Sequence, residues 1–485
     1  MSFRSQFAAL AAVIIAAAAL FTSCGEKPVE APVADAPELL GVSPADGTAD
    51  LVATSLDVVF TYDCNVKIPL SRQSEVTVSN SATVDKVVAY NTAVTVSVSG
   101  LRKGESYTVT IPDGVVSGFS DNPAGAASTT FSIKADEPDY GRKPSSSLTD
   151  PDASAAAKKL YSYLLGIYGS RSVSGAMGGT AWETSYTDNI ASLTGIYPGI
   201  VGFDYLFLNW PAKAWDGCPD YGDITPVKTA WEAGNIIQIG WHWSVPDSKG
   251  QTDLNKYSYS TKAFGVENAL KEGTWQHEVM ESQIEKLAGY MKLLQDAGIP
   301  VLFRPLHEAA GDYGWNAWFW WGYDGADACV RLWKHLRDRL QNTYGLHNLI
   351  WVWTVQTKNF GVLSDDPSQA RAWYPGDEYV DIVGADLYEE KGVDMSSFFR
   401  YVNNSVKGAK MVALSEFGNL PDLSGCFASD APWLYYMNWC NFEDGKPILY
   451  SKNSDGTYGW NNSVPEWTAI LKNELTVNRG DIRYE

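Results

Sequence analysis

Cysteine is scarce in this chain, with 6 among 485 residues, and no two stand in C-x-x-C spacing, so no zinc site is indicated. Setting Cys24 aside leaves Cys64, Cys218, Cys329, Cys426 and Cys440, an odd number that argues against a full disulfide framework. Positive charge is also short: 37 Lys and Arg face 57 Asp and Glu, a formal net charge of −20. A polyanionic partner is disfavoured, so no nucleic acid is expected. Neither G-x-G-x-x-G nor G-x-x-x-x-G-K-[ST] occurs, which weakens the nucleotide-binding versions of an α/β fold. "DDP" at 365–367 and "SDG" at 454–456 lack EF-hand spacing and read as turns. No metal and no cofactor are expected.

What the chain has in quantity is aromatic surface, 19 Trp and 26 Tyr. A core does not need so many, because indole is rarely buried completely and its N–H wants a partner. Flat apolar faces in a cleft suit the faces of sugar rings, and a neutral ligand agrees with the charge.

The first residues read as an address. Arg4 precedes the apolar stretch "FAALAAVIIAAAALFTS", which is too short and alanine-rich for a comfortable membrane span, and Ser23 precedes Cys24. This pattern resembles a lipoprotein signal peptide over 1–23, with Cys24 lipidated and the mature protein held at the outer membrane, periplasmic or on the cell surface. The alternative is an ordinary cleaved signal with an incidental cysteine.

A chain this long exceeds one ordinary core, at about 150 residues per domain, unless one domain is a large barrel. Residues 24–36 are Pro, Ala and acid without periodicity, a tether. From 37 to 135 short alternating stretches such as "SLDVVFTYD" and "ESYTVTIPD" are separated by turn residues, the pattern of an all-β sandwich. They resemble bacterial Ig-like domains, which implies a spacer or minor binding module. Residues 136–154 read as a polar linker.

Over 155–480 eight apolar runs alternate with helical stretches, beginning at "VSGAMGG" (173–179) and ending at "WLYYMNW" (433–439). Met280, Ile284, Leu287, Met291 and Leu294 recur at helical spacing, with Gly298 as a stop. Near-continuous apolar strands separated by helices mean a covered parallel sheet, and eight units fit a (β/α)8 barrel better than an open sheet. The fold class is therefore α/β, a TIM barrel preceded by a β-sandwich.

Such a barrel works at the C-terminal ends of its strands. Asp204, His242, His307, Glu308, Tyr388 and Glu416 all close apolar runs. One isolated glutamate there is as readily a solvent-facing cap as a reactive group. Two, on the fourth and seventh runs with histidines and indoles nearby, are the equipment for breaking a glycosidic bond. Glu308, between Leu306 and Ala309 and beside the aromatic run, is expected to be desolvated and protonated; Glu416 needs donors, for which Arg304 and Tyr388 are candidates. Of Trp318, Trp320 and Trp321 at least one should be core, and Trp351 and Trp353 belong to barrel packing. His277, His335 and His347 read as surface or capping residues.

"RPLHE", "WFWWG" and, about a hundred residues on, "SEFG" resemble glycoside hydrolase family 26, together with "GWHWSVP" and the opening "KKLYSYLLGIYGSRSVSGAMGG". The resemblance covers roughly residues 150–480. It implies a retaining endo-β-1,4-mannanase acting on β-mannan or galactomannan, with Glu308 as acid/base, Glu416 as nucleophile and His307 positioning the site. It also implies that His242 and Tyr388 contact substrate and that Trp318 and Trp439 stack on sugar; Arg304 and Asp204 complete the expected binding set. The insertion "AAGDYGWNA" after Glu308 departs from the shortest members and bears on the subsites. A mixed-linkage β-glucanase, a β-1,3-xylanase and a chain-end enzyme releasing mannobiose stay open. So does a non-catalytic surface glycan-binding protein. A monomer is expected.

Overall fold

The computed structural model describes residues 35–135, 140–179, 181–211, 218–255, 258–311, 317–359, 362–363, 366–439 and 462–483. Cys24 and Cys440, and Tyr313 and Trp315 of the aromatic run, lie outside them. The chain divides into two compact units between Asp136 and Glu137.

Strict alternation builds the first unit. In Ser55–Tyr62, Val58, Phe60 and Tyr62 are buried and Asp57 and Thr61 are exposed; in Ala93–Ser99, Val94, Val96 and Val98 are buried. One face of each strand is thus apolar, and two four-stranded sheets close over those faces. The first runs Leu39–Ser43, Ser55–Tyr62, Ala93–Ser99, Thr83–Tyr90, and the second Thr48–Leu51, Ala127–Ile133, Ser106–Ile111, Thr77–Val78. Phe60, Val96, Tyr107 and Phe131 lie in the shared core.

In the second unit eight parallel strands close on themselves: β1 Ser172–Met177, β2 Ile200–Asp204, β3 Ile236–Trp241, β4 Val301–Pro305, β5 Leu349–Val355, β6 Ile382–Leu387, β7 Met411–Phe417 and β8 Tyr435–Asn438. β8 pairs with β1, and β1 with β2. Side chains alternate between barrel interior and helix layer. Val201, Ile237, Val301 and Phe303 join one core cluster with the helices, while Ile200, Ile236, Leu302, Ile350 and Ile382 join another. That second cluster contains Leu160, Tyr161 and Leu164 of the helix Ala155–Ile167, which therefore plugs the barrel base. In the long helix Trp275–Asp296 the buried side chains include Met280, Ile284, Leu287, Met291 and Leu294, the stripe expected from their spacing.

The segment expected as a linker behaves differently over 140–153. Lys143 N–H donates to Gly408 O at 2.7 Å, Ser145 N–H to Ala409 O at 3.2 Å, and Tyr161 Oη to Ser145 O at 2.9 Å. Thr149 N–H and Oγ1 both donate to Asp381 Oδ1, at 2.7 and 2.9 Å. Its backbone polar groups are satisfied by the barrel base, which makes it a strap on that unit.

Candidate active site

The alternation that packs the barrel also puts charge in its top layer. Two residues beyond Leu302, Val352, Gly384 and Ala413 on the inward side come Arg304, Thr354, Asp386 and Ser415. Arg304 is 1% exposed and donates from Nη1 to Asp386 Oδ2 at 2.9 Å and to Thr354 Oγ1 at 3.2 Å, and from Nη2 to Glu416 Oε1. Ser415 Oγ donates to the other oxygen of Asp386 at 2.7 Å. A guanidinium this deep is tolerable only because two carboxylates and a hydroxyl surround it. Tyr388 Oη donates to Glu416 Oε2 at 2.7 Å, so both Glu416 oxygens accept hydrogen bonds, which favours its ionised form.

β4 ends at Pro305, and the chain then turns sharply: Leu306 and Glu308 both take φ of 50°. Non-glycine residues in this region carry strain that the surroundings must hold. The turn delivers the Glu308 side chain to the mouth, where Trp318 Nε1 donates to Oε2 at 2.8 Å. Burial raises the Glu308 carboxyl from the usual range to about 8; the charge of Asp386 and a hydrogen bond with it push the same way, against Trp318 and Arg304. Glu308 therefore holds a proton at neutral pH. Carboxylate oxygens of Glu308, Asp386 and Glu416 lie within 4.8 Å of one another. Such a trio has the donor chemistry of a cation site, but Arg304 already bonds Asp386 and Glu416, so it is wired as a hydrogen-bond network around that guanidinium.

His242, at the end of β3, receives a carboxylate on its ring: Nδ1 lies 2.8 Å from Asp204 Oδ2, and its backbone N–H donates to Asp204 Oδ1 at 3.1 Å. Gly240 makes room for this, since a Cβ there would stand 2.6 Å from Asp204 Oδ2. With Nδ1 bound to the carboxylate, Nε2 of His242 is left for the cleft. Its ring is 4.5 Å from that of His307 and 5.4 Å from that of Trp439. Burial first, then Arg304 and His242, hold His307 well below the usual imidazole range, so it is neutral.

Three members of the expected substrate-contacting or binding set belong to a deeper layer. Arg304 and Asp204 are 1% exposed and His307 2%, each packed behind a group that faces the cleft. Arg304 braces Glu416 and Asp386, Asp204 orients His242, and His307 backs His242 and Phe319. His242, Trp318, Tyr388 and Trp439 keep partial exposure. Trp320 and Trp321 are fully buried and donate to Trp243 O and His307 O, fastening the aromatic run beneath the site. Trp351 and Trp353 are buried in β5. His277, His335 and His347 bond Ala269 O, Glu281 and Asp150, away from the mouth.

Asp386 was not among the expected residues, although it links the two glutamates. The readable signal was a carboxylate on the inward parity of "DIVGADLY". Gln356, Thr357 and Glu389 were also missed; with Glu308, Gly311, Trp318, Asp386 and Tyr388 they line a pocket of about 270 Å³.

Residues 149–455 match the family model described as Glycosyl hydrolase family 26. The chain is 35% identical over 308 residues to a mannan endo-1,4-beta-mannosidase A of Piromyces sp, covering 62% of this chain and 46% of that protein. It is also 35% identical over 300 residues to a mannan endo-1,4-beta-mannosidase of Thermothelomyces thermophilus, covering 60% and 57%. The chain thus spans about half the length of these curated relatives. Among solved structures, the family 26 domain of an endo-beta-mannanase/endo-beta-glucanase from Prevotella bryantii aligns with TM-score 0.59 and 34% identity, covering 70% of this chain and 99% of that one. A beta-mannanase from a symbiotic protist of the termite Reticulitermes speratus, complexed with gluco-manno-oligosaccharide, aligns with TM-score 0.58 and 31% identity, covering 71% and 100%.

Proposed function

The chain belongs to glycosyl hydrolase family 26, and on that premise we propose that it is a retaining endo-β-1,4-mannanase that cleaves β-mannan or galactomannan. The observation that carries the mechanism is the pair of glutamates, oxygens within 4.8 Å, one raised to about 8 and the other held by Arg304 and Tyr388. Retaining glycosidases keep their carboxyl groups about 5–5.5 Å apart and inverting ones about 6.5–9.5 Å, to admit water between them.

Glu416 attacks the anomeric carbon while Glu308 gives its proton to the departing oxygen, leaving a glycosyl ester on Glu416 and an ionised Glu308. Water then enters: Glu308 takes its proton, the hydroxyl bonds to the anomeric carbon, and Glu416 leaves as carboxylate. Loss of Glu308's proton in the first step brings a second negative charge beside Asp386, and Arg304, which pairs with Asp386 and whose charge favours ionised Glu308, limits that cost. His242, its tautomer set by Asp204, faces the sugar with Nε2, and Trp318 and Trp439 offer flat faces to it.

Mannan is the favoured substrate because the relatives above act on it by name. A non-catalytic glycan-binding protein would have no use for a strained, protonated glutamate facing a braced one. Anchoring of the chain to the outer membrane through Cys24, an Ig-like spacer role for the sandwich, and a monomeric state belong to the same proposal. Product analysis on linear mannan, galactomannan and mixed-linkage glucan tests it. The expected result is a ladder of manno-oligosaccharides from the first two and little from the third. Faster cleavage of the glucan transfers the assignment to a β-glucanase, and mannobiose as the sole early product transfers it to a chain-end enzyme.

A further inference from the structure

The pair Glu308 and Glu416 divides the rim of the barrel into two arcs. On the arc running from β8 through β1 and β2 to β3 stand Trp439 and His242, with rings 5.4 Å apart. On the arc of β5 and β6 stand Gln356, Thr357 and Glu389. The scissile bond lies between the carboxylates, so a bound chain crosses from one arc to the other. The pocket on the β5–β6 arc is lined by Glu308, Asp386 and Tyr388, while Glu416 itself, behind the Tyr388 hydroxyl, is not among its lining residues. It therefore opens at the proton donor, which is the side of the departing oxygen.

Its walls are set by the scaffold. Gln356 Nε2 donates to Gly311 O at 2.9 Å, tying the end of β5 to the loop after β4. Asn419 Nδ2 donates to Glu389 O at 2.9 Å, fixing the backbone that carries the Glu389 carboxylate. Trp318 supplies an apolar face in the same pocket. A carboxylate, a carboxamide and a hydroxyl beside one indole are suited to a neutral ring with several hydroxyl donors.

We propose that Glu389, together with Gln356 and Thr357, forms the subsite for the hexose on the leaving-group side, with the Glu389 carboxylate accepting its hydroxyls. This rests on the retaining-hydrolase reading above. The subsite serves twice: it holds the leaving sugar in the first step, and it holds any acceptor sugar whose hydroxyl, in place of water, attacks the glycosyl ester and passes its proton to Glu308.

Glu389→Ala and the shape-preserving Glu389→Gln test it on two substrates sharing one glycone, mannotetraose and a dinitrophenyl β-mannobioside. For the tetraose kcat/KM falls about tenfold or more in Glu389→Ala, the scale of a lost charge-assisted hydrogen bond, and less in Glu389→Gln. The aryl substrate, which places no sugar in the pocket, loses far less. The partition of the glycosyl-enzyme also shifts, with less transfer to added mannobiose relative to hydrolysis. Equal losses on both substrates, or an unchanged transfer ratio, overturn the subsite. A wild-type protein inactive on both substrates overturns the underlying function, and is told apart because it precedes any substitution.

Discussion

The two ends of the barrel each bury a carboxylate against an arginine, yet only one end is built to react. At the base, Asp381 is raised above the usual carboxylate range by burial, as Glu308 is at the top. But Asp381 is closed on every side. Thr149 donates twice to one oxygen, and Trp351 N–H donates to the other at 2.8 Å. Arg337 reaches the same cluster through Thr149 Oγ1 at 2.9 Å, and Asp150 next to it bonds His347 at 2.8 Å. That network fastens the 140–153 strap. At the top, Glu308 sits on a strained turn, shares its proton environment with Asp386 and lines an open pocket. A perturbed carboxylate alone therefore does not mark a reactive site; perturbation with backbone strain and an opening does.

Substitutions at the two ends should separate these roles. The largest effect belongs to Glu416→Ala, which removes the proposed attacking group: kcat on mannan should fall at least about 10⁴-fold, and the loss of a partner from buried Arg304 should also lower the thermal midpoint. Steady-state assays paired with thermal unfolding check this, and a residual rate above a hundredth of wild type would reject Glu416 as nucleophile. Glu308→Ala comes next. Mannan hydrolysis should fall by about 10²–10⁴-fold, while the glycosylation rate of a dinitrophenyl mannobioside, whose leaving group needs no proton, falls much less. A matching loss on both substrates would deny Glu308 the acid role.

The pH profile gives a smaller effect of definite sign. Glu308 must be protonated in the free enzyme, so kcat/KM on mannan should be sustained below about 8 and decline about tenfold per unit above it. Glu308→Gln abolishes that limb. Tyr388→Phe removes one of the donors on Glu416 and should lower kcat about tenfold, read from initial rates. Asp381→Asn at the base should do least to the rate, within about twofold, yet cost about 3 kcal/mol in denaturant unfolding, because buried donors lose their acceptor. A rate loss there equal to that of Tyr388→Phe would erase the contrast between the ends.

Much of the upper end was legible in the amino-acid order, since Glu308 and Glu416 each terminate an apolar run and strand ends of a barrel converge on one mouth. The desolvation of Glu308 was legible too, from Leu306 and Ala309 around it. Asp386 was hidden because it lies within its run, and only knowledge of which parity faces inward gives it meaning. Arg304 and Tyr388 were also legible as donors to Glu416, which they are. Arg304 and Asp204 were read as substrate contacts too, but depth along a strand decides whether a polar group meets substrate or braces the one that does. The strap at the base was unreadable for another reason. A Pro- and Ser-containing stretch has the same composition whether its N–H groups meet water or, as for Lys143 and Ser145, carbonyls more than two hundred residues away.

The most direct test of a protonated Glu308 facing an ionised Glu416 is the anomeric configuration of the first product, followed by proton NMR before mutarotation. Double displacement predicts that the newly formed reducing end appears as the β-anomer. First appearance of the α-anomer would mean a single displacement by water and would contradict the account.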